Sequence, residues 1–222
     1  MHARDAIDAA MLDRLLLLTE ARLHRRGWDQ PAQVLVLYDC YDRATEYAYR
    51  EILASRRGGP TRCGPYAAQS AVPAEVLSGS ASHALFRFAL NLDHRLDDPG
   101  VSAIVDMMRQ PGFLGMALAS EAWFWAGTKE ERKAVGNVRL ADVPGSLECR
   151  NVWAVDIDGE VHFVQRVRGQ KPQLLAFEQA NITGAIIESL QLIVAVVAGL
   201  PKPKLTVVPS GWSWDDQRSA DT

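Results

Sequence analysis

The stretch Val152–Gly169 reads VWAVDIDGEVHFVQRVRG. Two alternating apolar runs flank an Asp-Gly pair, which is the pattern of a β-hairpin. The length of the turn sets which side chains meet. With a two-residue loop, Asp158-Gly159, Val155 would face His162 and Trp153 would face Val164, and the apolar sets of the two strands would mix. With a three-residue loop, Ile157–Gly159, Val155 faces Val161, Trp153 faces Phe163, Asn151 faces Gln165 and Cys149 faces Val167. One face then becomes nearly all apolar, and a one-residue slip would undo this at every position. Gly159 also provides the left-handed residue that a three-residue loop needs at its last position. The three-residue register is therefore expected.

That register loads the opposite face with charge. Glu148 falls across from Arg168, Arg150 from Arg166, Val152 from Val164 and Ala154 from His162. Like charges directly opposite are destabilising. Arg150 and Arg166 therefore need an acid, an anion or diverging side chains, and Glu121 is the nearest acid if its strand is adjacent. Two readings of this face stay open. In one it is a solvated surface, with Glu148–Arg168 as an edge ion pair of little energetic weight. In the other, Arg150, Arg166, Arg168 and Glu121 form a small-anion or phosphate site, or a surface for an acidic partner, because guanidinium forks match such groups.

Upstream, Phe113–Trp125 (FLGMALASEAWFW) is apolar on both strand faces, as expected for a central strand covered on two sides, with a helix as the alternative. Thr128 and Glu131 fit a capping box for a short helix ending at Gly136. Downstream, Leu174–Phe177 offers one more strand, and Asn181 or Thr183 starts a last apolar helix that Gly199-Leu200-Pro201 ends. That segment, GAIIESLQLIVAVVAGL, is short for a membrane span and contains Glu188 and Gln191, so it reads as a buried core helix.

The N-terminal half begins with a helix from about Asp5 to Arg26, with Asp5 as N-cap, Ile7, Met11, Leu15 and Leu18 as its stripe and Gly27 as its stop. Pro31 leads into the strand QVLVLY. Asp39–Ser55 suits a second helix and Arg56–Gln69 a loop rich in Gly and Pro. Ser82–Leu92 is helical by the face Leu85, Phe88, Ala89 and Leu92. Asp98 as N-cap and Pro99 in the first helical position start the next helix, with the stripe Val101, Ile104, Val105 and Met108 and a stop at Pro111-Gly112. This order predicts an α+β fold: a single domain over residues 1–200, with a mostly antiparallel sheet of about four to five strands and the N- and C-terminal helices packed on it. Residues 201–222, proline-bearing and then acidic, read as a flexible tail.

The chain has 222 residues, 48% hydrophobic and 23% charged, with a formal net charge of −3. That suits one globular domain and gives no basic excess, so nucleic acid is not indicated as a partner. Three separated cysteines, Cys40, Cys63 and Cys149, point to free thiols in a reducing compartment. Asp5, Asp8 and Asp13 interrupt the N-terminus as a signal peptide. A cytoplasmic location without membrane association follows.

Catalytic patterns are missing. Asp156-x-Asp158-Gly159 has Ala154 and Gln165 where a calcium loop needs acids, so the turn explains it. His2, His24, His83, His94 and His162 lack HExxH or HxH spacing and there is no CxxC, so no metal site is expected. No GxSxG, GxGxxG or GxxxxGK[ST] occurs, and no cofactor is implied. Asp39 and Asp42 follow a buried strand, where helix capping explains them as well as catalysis does. Trp123 and Trp125 share one face and could anchor a partner, but core packing against a helix is the preferred reading. Trp212 and Trp214, in the polar stretch GWSWDD, fit either a docking motif for a protein partner or a folded-back tail.

Three stretches carry a resemblance: Gly27-Trp28-Asp29-Gln30-Pro31; Gly112–Ala117 with Glu121-Ala122-Trp123; and Ala154–Gly159 running to Arg166 and Arg168-Gly169. They resemble a group of uncharacterised proteins from actinobacteria and their bacteriophages, over roughly residues 27–170. The resemblance implies a bacterial or phage origin and no activity. The sequence as a whole points to a non-enzymatic protein-interaction module. The alternative is an anion- or phosphate-binding protein or enzyme on the arginine face, and self-association stays open.

Overall fold

In the computed structural model, residues 7–40, 61–70, 80–109, 112–125, 127–136, 138–175 and 184–209 are described. The elements in chain order are α1 (Ala9–His24), β1 (Gln33–Asp39), β2 (Thr61–Cys63), β3 (Tyr66–Ser70), α2 (Ala81–His94), α3 (Pro99–Met108), β4 (Phe113–Phe124), α4 (Lys129–Val135), β5 (Leu147–Asp156), β6 (Val161–Val167), β7 (Gln173–Leu174) and α5 (Ala185–Ala198), with a 3-10 turn at Leu140–Asp142. The strands form one sheet in the order β2-β3-β1-β4-β5-β6-β7, and every neighbouring pair is antiparallel. The fold is α+β.

The hairpin takes the three-residue register: Val155 opposes Val161, Trp153 opposes Phe163 and Cys149 opposes Val167. Trp153 and Phe163 stack with ring centroids 3.6 Å apart. Gly159 turns the chain at φ +87°, and the Asp156 side chain accepts the N–H groups of Asp158 and Glu160, each at 2.9 Å. The acidic turn is thus a folding device of the Asx type.

The two central strands are apolar on both faces because both faces are covered. Val34, Val36, Tyr38, Met116 and Leu118 pack against α2, α3 and α5. Leu35, Leu37, Ala117 and Ala119 pack against Leu12, Leu15, Leu16 and Leu23 of α1. At Gly115 the β4 backbone comes so close to β5 that an added Cβ would lie 2.3 Å from the Val155 carbonyl oxygen. The start signals operate as expected. Asp98 accepts from Gly100 N at 2.8 Å with Pro99 at the first helical position, and Thr128 and Glu131 complete their capping box.

Four expectations change. The sheet has seven strands, because Thr61–Ser70 is a hairpin turning at Gly64-Pro65 and not a loop. The Gly-Pro punctuation is a turn there, and its flanks, Thr61-Arg62-Cys63 and Tyr66–Ser70, are too short to show a period of their own. The first helix is capped by Asp8, whose carboxylate accepts Met11 N at 3.0 Å; Asp5 lies outside the described residues. This helix is also rotated: Leu12, Leu15, Leu16, Thr19, Glu20 and Leu23 are its buried residues, while Leu18 is 41% exposed. Finally, the chain after α5 stays on the domain as far as Pro209. Glu188 accepts Thr206 Oγ1 at 2.6 Å and Val207 N at 2.9 Å, Lys202 pairs with Asp93 at 2.5 Å, and Leu205 joins the core. Glu188, the polar interruption in the apolar run, is the anchor for that return. Residues 41–60 lie outside the described residues, and with them most of the expected Asp39–Ser55 helix.

Gly115→Ala should lower stability by about 1–3 kcal/mol, since the Cβ meets fixed backbone and the φ of +158° is unfavourable for an L residue. Gly159→Asn, at a turn with open space around it, should cost under about 1 kcal/mol. Urea denaturation of both variants reads the difference; equal losses would remove the close approach as the reason for Gly115.

Candidate functional site

Arg150 and Arg166 stand directly opposite on β5 and β6, as their register requires. They are not solvated: Arg150 is 2% exposed and Arg166 8%. α1 lies over them and supplies Glu20, fully buried, whose Oε1 accepts Arg166 Nε at 2.6 Å and lies 3.7 Å from Arg150 Nη1. One carboxylate oxygen therefore serves both guanidinium groups. From the other side, β4 pairs Glu121 with Arg150, and Glu121 Oε1 accepts Arg150 Nη2 at 2.5 Å and Nε at 3.2 Å. The like-charge pair is resolved by two acids, one from each neighbouring element.

The Gly27–Pro31 stretch closes this cluster. Gly27, at φ +93°, gives its carbonyl to Arg150 Nη2 at 2.5 Å. Asp29 and Gln30 direct their backbone N–H groups to Glu121 Oε2 at 2.7 and 3.3 Å. The Trp28 ring meets two cations, with Arg150 Cζ 4.7 Å and Arg168 Cζ 5.3 Å from its centroid. Such contacts contribute about 0.5–2 kcal/mol each, more as water is excluded. Arg168 pairs with Glu148 at the exposed rim, and Arg166 Nη1 donates to Gln170 O at 2.9 Å. Sequence segments that are far apart, Gly27–Pro31, Glu121 and Arg166–Gly169, are thus parts of one assembly.

Chemically the cluster is balanced: Arg150, Arg166 and Arg168 face Glu20, Glu121 and Glu148. An anion would have to displace a carboxylate from a buried guanidinium. Beside Arg150 a cavity of about 10 Å³, lined by Leu23, Gln30, Ser120 and Glu121, has room for about one water. The oxygens of Asp29, Glu121 and Glu148 converge within 4.8 Å of one another, but Glu121 and Glu148 are already paired with arginines, so a cation would compete with fixed positive charge. The arrangement acts as a clamp that holds α1 and the Gly27–Pro31 loop to the sheet.

Glu20 is the residue that sequence reasoning missed. Asp13 and Glu20 are seven apart, two helical turns, and so share a face. Both face the sheet: Asp13 Oδ1 lies 2.7 Å from His162 Nδ1, and Asp156 Oδ2 lies 3.4 Å from His162 Nε2. The run Leu15–Leu18 makes α1 apolar nearly all round, so leucine spacing alone could not choose that face. Cys149 is buried, and burial pushes its thiol pKa up, against hydrogen bonds to Asn151 and Gln165 that lower it, consistent with packing rather than reactivity.

Trp123 is not core. It is 41% exposed, as Phe124 is 44%, on a part of β4 that runs past the end of β1, whose last pairing is Gln33 with Ala119. Trp212 and Trp214 lie outside the described residues. Among the described residues no helix is long and apolar enough to cross a membrane. Comparison of the chain with protein-family models, with curated proteins and with solved structures found no match.

Glu20→Leu should destabilise the protein by about 3–5 kcal/mol, the cost of leaving buried charges uncompensated. Arg168→Ala, at the exposed rim, should cost about 1 kcal/mol or less. Chemical denaturation of both variants tests the ranking, and a Glu20→Leu loss as small as that of Arg168→Ala would mean that the buried pair needs no counter-charge.

Proposed function

We propose that the chain is a non-enzymatic protein-interaction module whose contact surface is the projecting end of the β4–β5 ribbon. The observation that carries this reading is a set of exposed large apolar side chains, Trp123, Phe124 and Leu147 on the strand ends and Val138 and Leu140 on the connection between the two strands, between 41% and 52% exposed. Phe124 and Leu147 are cross-strand partners. Exposed aromatic groups on a rigid strand end are the usual anchors of protein contacts.

The backbone there supports the kind of partner. Arg168 N donates to Glu148 O, so the even residues of β5 turn their backbone groups to β6 and the odd ones to β4. Cys149 therefore bonds Ala122, and Trp123, one residue on, turns its N–H and C=O away from β5. Past the end of β1 that edge meets no strand among the described residues. Apolar side chains next to a free strand edge fit an extended protein segment that adds to the sheet. Trp212 and Trp214 serve in this reading as a second contact, on sequence grounds. The resemblance to actinobacterial and phage proteins supports a bacterial or phage origin for the module, with the bacterial cytosol as its setting.

Affinity capture with the full chain, compared with a Trp123→Ser/Phe124→Ser variant and with a chain ending at Pro209, tests the reading. The double variant should keep its thermal midpoint and lose captured partners. The same partners on wild type and on both altered chains would overturn it.

A further inference from the structure

α1 is tied to the sheet at two places, and the two ties differ in kind. Toward its C-terminal end Glu20 holds Arg166 and Arg150, and a guanidinium stays charged at any pH a fold survives. Two turns earlier the tie runs through an imidazole. His162 on β6 is 7% exposed and has a carboxylate at each ring nitrogen, Asp13 of α1 at 2.7 Å from Nδ1 and Asp156 of β5 at 3.4 Å from Nε2. Asp156 cannot swing aside, because its other oxygen accepts the N–H groups of Asp158 and Glu160.

A neutral imidazole has one N–H and one lone pair. It can donate to Asp13 or to Asp156, and it must then turn a lone pair toward the other carboxylate. A protonated ring donates to both. We propose that His162 is a proton-operated clamp that fastens the N-terminal half of α1 to the β5–β6 turn when charged and loosens it when neutral.

The surroundings favour this use. Among the described residues, Asp13 from α1 and Asp156 from β5 are the charged groups that meet the ring. Arg150, Arg166 and Glu20, farther along the same face, are engaged with one another. β7, on the far side of β6, contributes Gln173 and Leu174 and no charge. Burial opposes a charged ring, but hydrogen bonds to Asp156 and Asp13 and the charges of both outweigh it, so the His162 pKa is held above its usual value. The sign follows from linkage. A folded-state pKa above the unfolded one gives a contribution fully present below about 6.5 that is lost as pH rises through the folded value. Loosening starts at the Asp13 end, because the Glu20 anchor does not depend on that proton. The Asp13 end also carries Leu12, Leu15 and Leu16, which cover Leu35, Leu37 and Ala154 of the sheet.

Hydrogen exchange of the full chain across pH 6 to 9, each amide divided by its intrinsic rate, reads the clamp directly. Protection of Leu12–Leu16 should fall several-fold as His162 loses its proton, while protection around Leu23 changes little. The His162 ring titration, followed by NMR in the same samples, should have the same midpoint. His162→Gln keeps a donor and removes the titration, so its profile should be flat. Asp13→Asn should shift the ring titration to lower pH, and this arm stands even if His162→Gln does not fold. Uniform protection along α1 at every pH, or a ring that titrates at or below its ordinary value, would overturn the proposal.

Discussion

Two arginines opposite one another on adjacent strands are the constraint around which this protein is arranged. The hairpin register puts Arg150 beside Arg166, and the register itself follows from apolar pairing on the other face. Once both are buried, every neighbouring element must answer their charge. α1 answers with Glu20, β4 with Glu121, and the Gly27–Pro31 loop with a carbonyl and the Trp28 ring. Buried ion pairs give little net stability against an apolar alternative, since desolvation offsets most of the attraction. Their effect here is on geometry: they tie one face of α1 and the Gly27–Pro31 loop to the sheet.

The buried cluster borders a second region at the same end of the β4–β5 ladder. At the arginine end of the α1 face, charge is neutralised and water largely excluded. At the tip of the β4–β5 ribbon, apolar groups are exposed and the backbone at Trp123 lacks a strand neighbour among the described residues. Pro31 stands just before β1 and has no N–H with which to extend the ladder toward Trp123. Glu121 joins the two regions: its carboxylate belongs to the buried cluster, and it is followed two residues later by the exposed tryptophan.

Much of the architecture could be read directly from the chain. The alternation in Val152–Arg168, the capping pairs Asp98-Pro99 and Thr128/Glu131, the buried strand Gln33–Tyr38 and the first part of the two-faced apolar run Phe113–Trp125 are local signals, strong over short windows. The Thr61–Ser70 hairpin escaped because a three-residue strand is too short to show a period. Glu121 was accessible as a partner of Arg150 because strand adjacency follows from a meander. Glu20 was not, because its role depends on how a helix 130 residues away in sequence is turned about its axis.

The sequence by itself determined the hairpin register, the antiparallel α+β class and the need for counter-charge at Arg150 and Arg166. Each of these follows from side-chain period and from the sign of charge. Only the tertiary structure decided that the counter-charge comes from α1, that Trp123 faces solvent and that His162 sits between two carboxylates. Those outcomes depend on helix rotation and strand length, which are set jointly by many long-range contacts and leave no periodic trace in any one segment.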